Sequence, residues 1–296
     1  MTPDDFWQPW ETEIDDWASA LDAIENVATR AGSRDLVWRG AIDAGWALHS
    51  SLYRRLMAKL GSPPTEEQLI EQEEVILDRC RHRWRFDGLP ALTLLAQLQH
   101  FGGPTRLLDV SLNPLMALWF AVEERWTSAG DIEPEVDGRL FAFDVTERRI
   151  NVGGGYWANS DLPWAEDYEE PDWGRGRPWF WVPPSLNERI PAQYSGFLID
   201  GVPKIYAGEG FRKAPGPNHQ YWPIGDVRLA TSVPTALVVQ TRNPQARARP
   251  TFTLRIRAAA KPEIRKRLQH TMGLTASTVY PDWYGLARNV LPELPG

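Results

Sequence analysis

Between Gln99 and Asn113 the chain reads Gln-His-Phe-Gly-Gly-Pro-Thr-Arg-Leu-Leu-Asp-Val-Ser-Leu-Asn, its densest run of side chains with usable chemistry. His100 changes charge near neutral pH and is a candidate acid or base. Arg106 offers a planar donor fork suited to a carboxylate or a phosphate. Ser111 supplies a neutral donor and acceptor. Charged residues are seldom fully buried unless paired, so Arg106 and Asp109 either pair inside the protein or line a cleft. Asp109 follows Leu107-Leu108 in a very apolar region, which leads us to expect it buried and paired. Far upstream, Arg39-Gly40 follows the apolar run Leu36-Val37-Trp38. An arginine leaving a strand before a glycine is well placed to hold an anion, because the glycine lets a ligand approach the backbone; it serves equally well in a structural salt bridge.

The flanking patterns say what positions these groups. Leu92, Leu95, Ala96 and Gln99 recur at helical spacing, so residues 89–99 read as a buried helix, stopped by Gly102-Gly103-Pro104. Residues 105–110 read as a short buried strand. Ser111 or Asn113 can cap the next helix, with Pro114 in its first turn. That helix is apolar on nearly every side, which marks it as central to the core. Further helices are expected over 11–31, from Tyr53, over 65–86 and over 261–272, and strands over 36–38, 138–145, 196–199, 236–240 and 251–256. A last short helix is expected over 283–290. The fold class is α+β: N-terminal helices, then a central mixed or antiparallel sheet with long loop insertions near 151–184 and 206–223. Residues 1–35 read as a helical extension packed on the core and 36–296 as the main domain.

Composition narrows the function. With 43% hydrophobic and 24% charged residues, the 296-residue chain has the make-up of an ordinary globular protein. A net charge of −7 weighs against a long nucleic-acid partner. A single cysteine, Cys80, excludes an intrachain disulfide framework or a cysteine-based zinc site. No metal-ligand spacing, phosphate loop or dinucleotide fingerprint is present. No apolar run is long enough to span a membrane and no signal core opens the chain, so a cytoplasmic location is expected. The 15 tryptophans gather partly over Trp157 to Trp181, where they either pack an irregular segment or close as a lid over a flat ring.

Taken together, Gln99 to Ser111, Asn113-Pro114, Ala117 to Ala121 and Arg189 to Phe197 resemble the FRG domain family, named for a Phe-Arg-Gly motif that stands here as Trp38-Arg39-Gly40. The helix Lys261 to Leu268 and the turn Tyr280-Pro281-Asp282 fit the same pattern. The family occurs largely in bacterial and phage proteins, which implies a defence or toxin-like setting. The motif order also resembles, distantly, that of ADP-ribosyltransferases, and this implies roles for Arg39 on phosphate, Ser111 on ribose or nicotinamide, and Gln193 on a ribose hydroxyl. That analogy leaves the carboxylate to Asp109 or Glu188; with His100 added as a candidate acid or base, Arg39, His100, Asp109, Ser111 and Gln193 are the catalytic candidates, and Arg39, Arg106, Ser111 and Gln193 the ligand-binding ones. NAD is then a substrate rather than a tightly bound cofactor, and no metal is called for. The alternatives are a metal-independent nuclease using His100, and a non-catalytic module that senses a nucleotide or binds a partner protein.

Overall fold

Short polar side chains open many of the helices, and the sheet forms from distant pieces of chain. The computed structural model describes residues 1–127, 131–152, 156–158, 161–165, 173–174, 176–205, 210–217, 220–237 and 250–287. The helices among them are α1 (Pro3–Trp7), α2 (Trp17–Ala31), α3 (Ser51–Leu60), α4 (Glu66–Asp78), α5 (Ala91–His100), α6 (Pro114–Val122), α7 (Arg189–Ala192), α8 (Ile224–Ala230), α9 (Lys261–Met272), α10 (Ala276–Val279) and α11 (Trp283–Gly285). The strands are β1 (Thr12–Ile14), β2 (Leu36–Ala41), β3 (Leu108–Ser111), β4 (Gly138–Asp144), β5 (Trp179–Trp181), β6 (Ser195–Ile199) and β7 (Thr251–Ile256). Asp16, Ser50, Thr65 and Asn113 cap α2, α3, α4 and α6 by accepting backbone N–H bonds that the first turns leave unmade.

The seven strands form one sheet in the order β1-β7-β4-β2-β3-β6-β5. Only the edge pair β1–β7 is parallel. The architecture is therefore α+β with a mixed sheet, as the patterning implied. Several boundaries moved. The expected helix over 11–31 begins at Trp17, because Thr12–Ile14 add to the sheet edge instead. The helix expected to reach residue 86 gives way to a π turn at Arg79–Arg83. The expected strand at 36–38 runs on to Ala41, so Arg39 lies within it. Strand β5 and helix α8 were not anticipated. Parts of the expected strand 236–240 and of the last helix lie outside the described residues.

Helix α6 is the apolar centre that its sequence suggests. Met116, Ala117, Leu118, Trp119, Ala121 and Val122 are all buried. Glycine lets it settle directly on the sheet. A Cβ at Gly40 would sit 1.9 Å from the Ala117 carbonyl oxygen, and one at Gly138 would sit 2.5 Å from that of Ala121. The glycine of Trp38-Arg39-Gly40 thus serves helix packing.

The first 35 residues share this sheet and core. Phe6 and Trp7 are fully buried. Fully buried Arg139 donates from Nε to Glu11 at 2.5 Å and from Nη2 to Asp4 at 2.7 Å. Arg255 contacts the same two acids and also Asp137, at 3.0 Å. Charges buried with this many partners hold the sheet edge in place.

Candidate functional site

Strands β2 and β3 meet at a single register pair, Trp38 with Ser111. Beyond it the two strands lack ladder pairing, and a main-chain carbonyl there, open to solvent, is free to accept from a side chain or from water. Arg39 is the side chain that does so: its Nη1 donates to the Asp109 carbonyl oxygen at 2.5 Å. A cavity of about 360 Å³ opens at this junction. Arg39, His100, Asp109, Ser111 and Gln193 all line it, with Trp38, Phe120 and Tyr280 among its aromatic walls. Arg39, Ser111 and Gln193 reach it from three neighbouring strands: β2, the end of β3, and the turn into β6.

Each side chain has a local reason for its place. Helix α5 ends at His100, and its Gln99 donates from Nε2 to the Asp109 carboxylate at 2.8 Å. The Thr105 hydroxyl donates to the other end of that amide, which fixes its orientation. Ser111 donates to the Gln193 main-chain oxygen at 2.7 Å and accepts from the Asn113 N–H at 3.0 Å, so its hydroxyl joins β3 to the turn after α7. In that turn Tyr194 takes a left-handed φ of 50°. Gln193 donates to the Val279 carbonyl oxygen at 2.9 Å, drawing the C-terminal segment against the cavity. Asp282 stands behind the same wall, against two of its lining residues. It pairs with Arg189 at 2.6 Å and stands 3.7 Å from His100 Nε2. Burial and the Arg189 charge hold the His100 pKa below its usual value, with Asp282 and Glu188 opposing. His100 is consequently mostly neutral at pH 7 and able to accept a proton.

Two expectations are corrected here. Asp109 is exposed, not buried and paired: β3 turns its side chain toward the opening, where the Gln99 amide meets it. Arg106 does not reach the cavity at all. It is buried, donating from Nε and Nη2 to the two oxygens of Glu73 at 2.6 Å and from Nη1 to Glu66 at 2.7 Å. The Trp164 and Trp173 rings flank it, with centroids 4.9 and 5.6 Å from its Cζ. Those rings also donate N–H bonds to Glu73 and Glu66. Trp157, Trp164, Trp173 and Trp181 are all buried in this second cluster. Trp164 and Trp173 enclose an arginine, and none of the four lines the cavity as a lid would. The reason is charge balance, since a buried guanidinium needs carboxylates and a dry wall to keep them paired.

A second lobe was not anticipated. A space of about 350 Å³ adjoins the first, sharing Arg39, Gln99 and Asp109 with it, and Arg54 and Arg55 line its wall. Their side by side placement at the start of α3, shortly after the Ser50 cap, was the available signal. Tyr280 was matched only as part of a turn, yet it donates to both oxygens of Glu123, at 2.8 and 2.9 Å, and faces the first lobe. Among the described residues no group of three His, Cys, Asp or Glu side chains is placed to hold a metal ion. Nor is any of their helices long and apolar enough to cross a membrane.

Comparison with known proteins adds one finding. Residues 34–129 match the family model described as the FRG domain, a span that holds Arg39, His100, Asp109 and Ser111 but neither Gln193 nor the Tyr280–Asp282 wall. No curated protein and no solved structure matches the chain.

Proposed function

From the premise that this chain carries an FRG domain over residues 34–129, we propose that it is an enzyme acting on an anionic nucleotide. Nicotinamide dinucleotide is the first choice, and cleavage of its N-glycosidic bond is the reaction. One observation carries the reading: a single cavity brings together Arg39, Asp109, Ser111 and Gln193 from neighbouring strands beside aromatic walls. A guanidinium without a carboxylate salt bridge suits phosphate. Flat apolar walls formed by Trp38, Phe120 and Tyr280 suit a ring.

The chemistry follows from these groups. The bond between ribose C1′ and the nicotinamide nitrogen breaks, and its electron pair leaves with nicotinamide. The sugar passes through an oxocarbenium-like state, which a nearby carboxylate stabilises. Asp109 is the acid lining this lobe. Water, or an acceptor group, then adds to C1′ and gives up a proton, for which neutral His100 is the base. Transfer to a protein acceptor and simple hydrolysis share these steps.

The test is product analysis. Purified protein incubated with the dinucleotide should release nicotinamide, detected by chromatography. Asp109→Asn should slow release by about 100-fold or more, the scale of losing one electrostatic stabiliser. Folded protein that releases no nicotinamide and binds no dinucleotide would overturn the proposal.

A further inference from the structure

The second lobe differs in character from the first. Its lining includes no Phe, Tyr or Trp, but has Arg39, Arg54 and Arg55 against the one carboxylate of Asp109. Among the described residues none of these three arginines forms a salt bridge. Arg39 donates to the Asp109 carbonyl, Arg54 to the His49 carbonyl at 2.6 Å, and Arg55 to the Gly102 carbonyl at 3.4 Å. Main-chain oxygens orient the guanidiniums without neutralising them.

The surroundings add to this excess of positive charge. Helix α3 begins at the lobe, so the positive end of its dipole lies there. His49 accepts no charge of its own: burial lowers its pKa to about 4, and its Nε2 lies 3.0 Å from the Arg228 carbonyl. Burial and Arg55 lower the Arg54 pKa, while Asp109 opposes them. Like charges crowded around one carboxylate are relieved by a bound anion. Opposite, Gly102 takes a φ of 78° and leaves open space where a side chain would stand.

We propose that this lobe is a pyrophosphate subsite, where Arg54 and Arg55 join Arg39 on the two phosphates of the nucleotide. The inference rests on the nucleotide reading above and sharpens it. The ring and ribose at the reacting end occupy the aromatic lobe, and the phosphates occupy the arginine lobe. Planar donor forks on adjacent residues suit the several oxygens of a pyrophosphate better than a single charge would.

The probes are inorganic pyrophosphate, nicotinamide riboside and the intact dinucleotide, titrated by calorimetry at low salt. Wild type is compared with Arg54→Ala/Arg55→Ala, residues that keep much of their surface in solvent even though the Arg54 guanidinium is partly desolvated at the lobe, and melting curves confirm that both are folded. The subsite predicts that wild type binds pyrophosphate, that the double variant binds it at least tenfold more weakly, and that riboside binding is unchanged. Wild type that ignores pyrophosphate, or a double variant that binds it as wild type does, overturns the subsite. Dinucleotide turnover unaffected by the double change also overturns it, while leaving the proposed reaction standing. Pyrophosphate binding lost in the double variant, with no dinucleotide binding or turnover in wild type, retains the subsite and removes the reaction.

Discussion

Arg39 lies in β2 and Arg106 two residues before β3, and their surroundings are opposite. Arg106 sits in a closed pocket with Glu66, Glu73 and two tryptophan rings, its fork already filled by carboxylates. Arg39 opens onto a cavity, held by one main-chain oxygen and beside two further arginines. A buried charge with its partners in place specifies structure, and removing one partner leaves the other uncompensated. A charge oriented by a neutral carbonyl keeps its attraction for something that arrives from solution. Residue type did not separate these two roles; the partners did.

The largest expected effect comes from the closed pocket. Arg106→Ala should cost about 3–5 kcal/mol of stability, because it leaves Glu66 and Glu73 buried without their cation. Urea unfolding measures it, and a loss below about 1 kcal/mol would erase the contrast with Arg39. Next comes Gly40→Ala, which pushes a methyl into the Ala117 carbonyl and should destabilise by about 1–3 kcal/mol. An unchanged melting temperature there would mean that α6 is free to shift away from β2. Arg39→Ala should change stability little and weaken nucleotide binding by about tenfold to a hundredfold, the range for losing a hydrogen bond to a charged group.

These contrasts also show what the sequence could convey. Helix α6 was legible because Leu115, Leu118 and Val122 repeat at helical spacing in a run with no charge before Glu123. Position near the ends of apolar elements leads us to expect Arg39, His100, Arg106 and Asp109 in one site, and three of the four share the cavity while Arg106 does not; Ser111 and Gln193 are suggested by motif order alone. The side to which a residue points was not legible. Strand β3 begins at Leu108, so Arg106 precedes any two-residue alternation that could orient it, and four residues are too few to fix the face of Asp109. Edge strand β1 pairs with β7, which lies more than two hundred residues later, so nothing local marks it. The tryptophan segment showed composition without partners, and Glu73 and Glu66, far away in sequence, are the partners of the Trp164 and Trp173 rings.

The smallest effect tests the cavity's C-terminal wall. Burial raises the Glu123 carboxyl to about 7 from its usual 4.5, with the Tyr280 hydrogen bond opposing. Below pH 4.5 the group is protonated in both folded and unfolded chains. Between about 4.5 and 7 the unfolded chain gives up a proton that the folded chain keeps, so stability falls as pH rises through that window and levels off above it. The contribution is on the order of 1–3 kcal/mol. Comparing urea midpoints at pH 5 and pH 7.5, Glu123→Gln should show a flatter dependence than wild type. Parallel dependences would mean that Tyr280 is held without this proton.

Calorimetric titration of nicotinamide dinucleotide into wild type and Arg39→Ala, with the melting temperature of each recorded, addresses the central claim directly. The account predicts saturable binding to wild type, and binding weakened at least tenfold in a variant that melts within a few degrees of it. Equal affinities in the two proteins, or no binding to folded wild type, would contradict it.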